Sequence, residues 1–371
     1  MAHELKLPLP ATPRPPARAA RAGVAWQRLP LLALGLIALV LGLSGGLARL
    51  GLGAPVPAAA GAHGPLMLLG FFGVLIALER AVALGALWGY AVPLLAGAGS
   101  AALLLGGPAP ALFAASAVGM LVLTTWLWAR QPEPHAALLV AGAASQLLGS
   151  LGWALGFVFG ATLPAWLGFL VLTIAAERLE LSRLRPRGPA AQAAFWWLAS
   201  ACALGCAAAL FEAPWALPLL GASLLGLAVW LLRHDIARHT VRTAGLTRYV
   251  AICLLSGYAW LALAGALIAR HGLPAGTWVY DAALHALLLG FVFAMVFGHA
   301  PLIGPALLRI RLPFHPSQYL PLVLLHASLA LRLAGDAAAE QALRQAGAWG
   351  SVAAIALFIA LLIWRATRRP S

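Results

Sequence analysis

The chain has 371 residues, of which 63% are hydrophobic and 9% charged. A soluble domain carries roughly a quarter charged residues, so this composition excludes an ordinary soluble enzyme and a disordered chain, neither of which could cover its surface with so little polar material. The formal net charge of +14 does not point to nucleic acid, because the basic residues stand singly or in short groups between apolar stretches.

Residues 1–28 carry Pro10, Pro13, Pro15, Pro16 and five basic residues. They read as a disordered basic cytoplasmic arm. They do not read as a signal peptide, since the apolar run that follows passes Leu43 without a cleavage site. From residue 29 onward, apolar stretches of about 20 residues, the length that crosses a bilayer, recur between Pro, Gly and Arg clusters. Twelve spans are predicted, at 29–50, 58–80, 86–106, 109–129, 135–160, 162–180, 190–211, 214–233, 247–270, 280–308, 317–334 and 346–365. The expectation is an all-α polytopic transmembrane helix bundle, with residues 29–371 as one domain.

Placing the N-terminus inside puts Lys6 and 19 arginines on the inner side, and leaves Arg49, Arg270, Arg332 and Arg344 outside. This asymmetry follows the positive-inside rule and puts both termini in the cytoplasm. A wrong number of spans would scramble it. Cys202, Cys206 and Cys253 lie within apolar spans and read as small apolar residues rather than a disulfide framework.

An internal repeat crosses the spans. Leu69-Gly70-Phe71 in the second span is followed by Glu79-Arg80, nine residues after the glycine. Leu167-Gly168-Phe169 in the sixth is followed at the same spacing by Glu177-Arg178, and Leu289-Gly290-Phe291 in the tenth by His299. The three copies are four spans apart, which predicts three arcs of four helices about a pseudo-threefold axis. A fourth Leu155-Gly156-Phe157 lacks the ionisable partner.

Ionisable groups within the hydrocarbon are costly and mark functional candidates. His63, His285, His299 and His326 lie inside spans. His63 and His285 each fall about five residues into a span that descends from the outside, so they share a depth. Two neutral imidazoles at one level can supply both axial ligands of a haem iron. Gly70 and Gly290, one to two turns on, would let a flat ring approach the backbone. The two histidines are two residues out of register relative to their glycines, about 200° of rotation, so a facing geometry is an added assumption.

His299 and His326 lie at similar depth on an antiparallel hairpin and could share a metal, a second haem, or a proton path with Glu79 and Glu177; a buried polar contact tying their helices remains equally open. His285 and His299 share a face but stand about 21 Å apart along the helix, too far for one cofactor. Glu79-Arg80 and Glu177-Arg178 read as interfacial ion pairs or capping groups at inner helix ends, with a proton-uptake role as the alternative. Arg332, one turn from Asp336, is a candidate partner for a haem propionate. No phosphate-binding loop, dinucleotide fingerprint, His-Glu-x-x-His or nucleophilic triad is present.

The stretches His63-Gly64-Pro65-Leu66-Met67-Leu68-Leu69-Gly70-Phe71 and His285-Ala286-Leu287-Leu288-Leu289-Gly290-Phe291, with Phe297-Gly298-His299-Ala300, resemble the NnrS family. These are twelve-helix haem- and copper-containing membrane proteins linked to nitric oxide metabolism, within an architecture like haem–copper oxidase subunit I. The resemblance runs through the motifs in the second and tenth spans and through topology elsewhere. It implies haem b, one or two per chain, with His63 and His285 as axial ligands, and copper ligation by His299 and His326. The sixth and seventh spans hold no histidine, unlike the oxidases, so an oxygen-reducing binuclear centre is not implied.

The function implied is a haem-binding protein of a bacterial or archaeal cytoplasmic membrane. It would handle nitric oxide or another diatomic ligand, take part in the nitrosative-stress response, or carry out related redox chemistry, with the lipid bilayer and no nucleic acid as its surroundings. Turnover as a haem-dependent oxidoreductase stays open. A proton-coupled secondary transporter and an assembly factor for a respiratory complex are the alternatives.

Overall fold

A computed structural model describes residues 25–53, 56, 59–181 and 187–367. It is helical throughout, with no strand among the described residues. Twelve helices are long and apolar enough to cross a membrane: α1 (Trp26–Arg49), α2 (Ala59–Leu84), α3 (Leu87–Leu105), α4 (Ala109–Arg130), α5 (Pro134–Ala154), α6 (Phe159–Leu181), α7 (Pro189–Ala209), α8 (Ala216–His234), α9 (Gly245–His271), α10 (Trp278–Leu308), α11 (Pro316–Ala338) and α12 (Gln341–Thr367). All twelve coincide with spans expected from the sequence. The chain is a helical multi-pass membrane protein.

Several boundaries move by a few residues, two of them for a clear local reason. The fifth span was expected to run to residue 160, but α5 stops at Ala154. Gly156 adopts φ +95° there, a conformation that glycine alone takes without strain, and Phe157 N–H closes back on Gly152 O. The extra Leu155-Gly156-Phe157 is therefore a turn rather than a fourth repeat. The start of α12 moves forward to Gln341, where Gln341 and Gln345 each donate Nε2–H to Leu50 O at 2.9 Å.

Residues 1–24 of the expected arm lie outside the described residues, as do Arg183, Arg185, Arg368 and Arg369. The arm ends sooner than expected. Trp26–Arg28 form a tight first turn of α1, Ala25 N–H bonds Leu308 O, and Arg28 Nη1 donates to Leu307 O at 2.6 Å. The start of α1 is thus tied to the end of α10.

Burial separates three helices from the rest. In α2, α6 and α10, 67%, 78% and 72% of the most apolar window is buried; no other helix exceeds 50%. These are the three that carry the repeat. They form the centre, and the other nine surround them.

The glycines show how the repeated helices pack. Lipid tails are as apolar as leucine, so helices in a membrane associate by close packing of small residues rather than by the hydrophobic effect. A Cβ on Gly70 would fall 2.8 Å from Ala38 Cβ on α1 and 2.6 Å from Ser100 Oγ on α3. A Cβ on Gly168 would fall 2.7 Å from Ser145 Oγ on α5 and 2.6 Å from Cys206 Sγ on α7. A Cβ on Gly290 would strike Trp260 on α9, and Trp260 in turn stacks on His326 of α11 with ring centroids 6.3 Å apart. Gly70 and Gly168 therefore sit between the preceding helix and the side of the following one, and Gly290 packs on the preceding helix.

The preceding helices repeat as well. Gly35, Gly142 and Gly257 stand three residues before Ala38, Ser145 and Trp260, and pack on Val74, Thr173 and Met295 of the three central helices. The pseudo-threefold arrangement is visible in these contacts, helix by helix.

Candidate functional site

The copies of the repeat that follow a histidine differ in backbone from the one that does not. Leu66–Phe72 in α2 and Ala286–Phe293 in α10 widen into π-helix, whereas α6 stays α-helical through Leu167-Gly168-Phe169. π-Helical turns leave a main-chain register that ordinary packing does not favour, and they concentrate at functional sites. The two widened segments meet: Phe71 stacks on Phe293 with centroids 5.7 Å apart, and Phe72 meets the same ring edge-on at 5.3 Å.

His63 and His285 lie just above these segments, toward the end of the bundle opposite the start of α1. His63 Nδ1 is 2.6 Å from Gly42 O on α1, and the ring lies against Gly46, where a Cβ would come within 2.9 Å of it. His285 Nδ1 is 2.8 Å from Asp281 O, one turn back. A carbonyl oxygen only accepts, so in both rings Nδ1 carries the hydrogen and Nε2 carries a lone pair. Neither Nε2 has a hydrogen-bond partner among the described residues. This is how metal-ligating histidines are oriented: the distal N–H goes to a backbone carbonyl, which fixes tautomer and ring plane. The rings reach this state from different neighbours, as the two-residue offset in register requires. Both nevertheless lie within electrostatic range of Arg332 and Asp281, and His285 lies within range of His63.

Asp281 holds this end together, and the sequence reading passed over it. Arg332 donates Nε–H and Nη2–H to its two carboxylate oxygens at 2.9 and 3.1 Å, and Asp281 Oδ1 stands 3.3 Å from His285 Nδ1. A chain with only 10 acidic residues offered a signal, an aspartate four residues before an intramembrane histidine. Arg332 was expected beside Asp336 or a propionate. Its fork is instead filled by Asp281, and Asp336 takes Arg344 Nε–H at 2.7 Å. Gly70 and Gly290 were expected to make room for a flat ring. The space beside each is filled by protein, Ala38 and Ser100 in one case and Trp260 in the other, so the glycines serve helix packing.

His326 has the opposite chemistry. Trp260 Nε1–H donates to its Nδ1 at 3.0 Å, and its Nε2 is 2.9 Å from Ser256 Oγ. Since Nδ1 accepts, Nε2 bears the hydrogen and no lone pair is left for a metal. His299 keeps its lone pair: Nδ1–H bonds Met295 O at 2.7 Å, and Nε2 is buried without a partner. The two rings do not form a ligand pair. Among the described residues no group of three or more His, Cys, Asp or Glu is placed to hold a metal ion.

At the end where α1 begins, the ionisable positions of the repeat converge. Arg80 Nη2 donates to Glu79 Oε1 at 3.0 Å and to Glu177 Oε1 at 2.6 Å, which ties α2 to α6. Glu79 also lies within electrostatic range of His299 on α10. Beside them Arg178 clamps Asp235 with bonds of 2.8 and 3.0 Å, and Tyr258 O–H on α9 donates to the same carboxylate at 2.8 Å.

Among curated proteins, none matches the chain. A family described as a domain of unknown function, DUF8744, matches residues 28–367, from the first turn of α1 to the last residue of α12. The chain belongs to this DUF8744 family.

Proposed function

We propose that the protein is a haem b-binding integral membrane protein that handles nitric oxide or related redox chemistry, as the resemblance to the NnrS family implies, with His63 and His285 as axial ligands. One observation carries the reading. Two intramembrane imidazoles on adjacent central helices both donate Nδ1–H to a main-chain carbonyl and keep Nε2 free. His326, by contrast, has both ring nitrogens in hydrogen bonds.

The donor set fits the group. Two neutral imidazoles suit a low-spin haem iron, and the Gly42 and Asp281 carbonyls fix the planes of the rings. The iron would supply one-electron exchange, or a coordination position for a diatomic molecule on loss of one histidine. The protein's part is to hold the two rings, with the Arg332–Asp281 pair fixing the helix that carries His285, and to limit access from the lipid. Copper finds no second imidazole beside His299, so the proposal is confined to haem. The arginine-rich end of the bundle faces the cytoplasm in this reading.

An optical spectrum of the detergent-purified protein, oxidised and then reduced, tests the proposal. A Soret band is expected in the wild type and in His326→Ala, and its loss or displacement in His63→Ala and His285→Ala. A colourless wild-type protein refutes it.

A further inference from the structure

Among the described residues, the cluster that joins the repeats at the arginine-rich end does not balance its charge. Arg80 is one cation facing two carboxylates, and it serves both with a single nitrogen, Nη2, while its Nε is buried without a partner. Arg178 does not make up the deficit. It faces Glu177 electrostatically, but its fork is committed to Asp235, whose side chain is fully enclosed, and those two charges cancel. Glu180, farther along α6, adds negative charge toward Glu177. From α10 the group facing Glu79 is His299, whose Nε2 lone pair is buried with nothing to receive. An uncompensated charge in a low-dielectric interior is expensive, and two close carboxylates relieve it by retaining a proton.

We propose that Glu79 and Glu177 form a proton-binding site in which the two carboxyl groups hold one exchangeable proton across Arg80, and that His299 Nε2 is the acceptor to which this proton passes deeper into the bundle. The carboxyl groups are reachable from the end of the bundle, with side-chain exposures of 28% for Glu79 and 19% for Glu177; His299 is 8% exposed. His299 holds the same repeat position on α10 and is enclosed where the two glutamates are partly exposed. In the transfer, rotation of the Glu79 side chain away from Arg80 first brings its carboxyl to His299 Nε2, which has no partner among the described residues in the resting geometry; the O–H bond of the carboxyl then breaks and its electron pair stays on the carboxylate. An N–H bond forms on the Nε2 lone pair, giving a carboxylate and an imidazolium. The site needs no bound cofactor and stands whether or not the protein binds haem.

Infrared difference spectroscopy of the purified full-length protein tests this, titrated from mildly acidic to mildly alkaline pH in H2O and D2O. The wild type is expected to show the C=O stretch of a protonated carboxyl that shifts in D2O and titrates. Glu79→Gln and Glu177→Gln are each expected to lose it, because either change leaves one carboxylate matched to Arg80. Asp336→Asn, at the opposite end, is expected to keep it. His299→Gln is expected to keep the carboxyl band and lose the accompanying imidazole signal. A wild-type protein without the band at any pH overturns the proposal, as does a band that survives in both glutamine variants. Where a glutamine variant fails to assemble, Glu79→Asp decides: it keeps the charge and is expected to shift the band, and a band that moves only in Asp336→Asn overturns the proposal.

Discussion

Glu79 and Glu177 stand at the same place in two copies of one repeat, nine residues beyond the glycine, and accept hydrogen bonds from the same nitrogen, Arg80 Nη2, at 3.0 and 2.6 Å. A repeat recognised only by spacing thus becomes a physical junction between two central helices. The third copy contributes His299, within electrostatic range of Glu79.

The crossing of α8 and α9 depends on two glycines. A Cβ on Gly221 would overlap the Ala269 backbone, and a Cβ on Gly265 would lie 2.5 Å from Leu225 N. Main chain cannot yield as a side-chain tip can. Gly221→Val is expected to destabilise the protein by about 3 kcal/mol or more, at the upper end of overpacking costs. Gly61→Ala, with open space around it, is expected to stay near wild type. Thermal unfolding in detergent, followed by circular dichroism, compares the two.

The Arg178–Asp235 pair is enclosed, with side-chain exposures of 3% and 0%. Removing one partner leaves the other charge buried, a loss of about 3–5 kcal/mol. Asp235→Ala is therefore expected to lower the unfolding temperature sharply. Tyr258→Phe removes one hydrogen bond to the same carboxylate and is expected to cost about 1.5–3 kcal/mol, the range for a bond to a charged group. Equal losses in the two variants would contradict the assignment of the charge pair as the dominant tie.

How much of this was legible in the sequence depends on the length scale. Twelve spans could be read because each needs a long apolar run, and the three central helices because Leu-Gly-Phe and an ionisable residue recur at one spacing. The partners of single side chains could not. His326 was paired with His299 by depth alone, yet its ring is taken by Trp260 and Ser256, 66 and 70 residues away, and no local pattern announces that. Gly70 and Gly290 were read as space for a ring, when the side chains that fill the space come from neighbouring helices. The repeat Gly35, Gly142 and Gly257 was hidden among 39 glycines until contacts singled them out.

In the proposed haem site, Asp281 is the positioning residue for His285. It anchors Arg332 through two hydrogen bonds and lies 3.3 Å from His285 Nδ1. Outer partners of metal-bound histidines typically account for about 10–100-fold in affinity. Asp281→Asn is expected to keep the fold and to release haem to an excess of apomyoglobin about tenfold faster or more, with Arg332→Gln acting in the same direction. An unchanged release rate in both variants would remove Asp281 from the site.

The central claim is that His63 and His285 jointly ligate one haem, and electron paramagnetic resonance of the oxidised, purified protein tests it most directly. The account predicts a low-spin ferric signal of two imidazole ligands in the wild type and in His326→Ala, and conversion to a high-spin signal, or loss of haem, in His63→Ala and in His285→Ala. A wild-type protein purified from haem-replete cells without iron, or a low-spin signal that persists in both single variants, would contradict it.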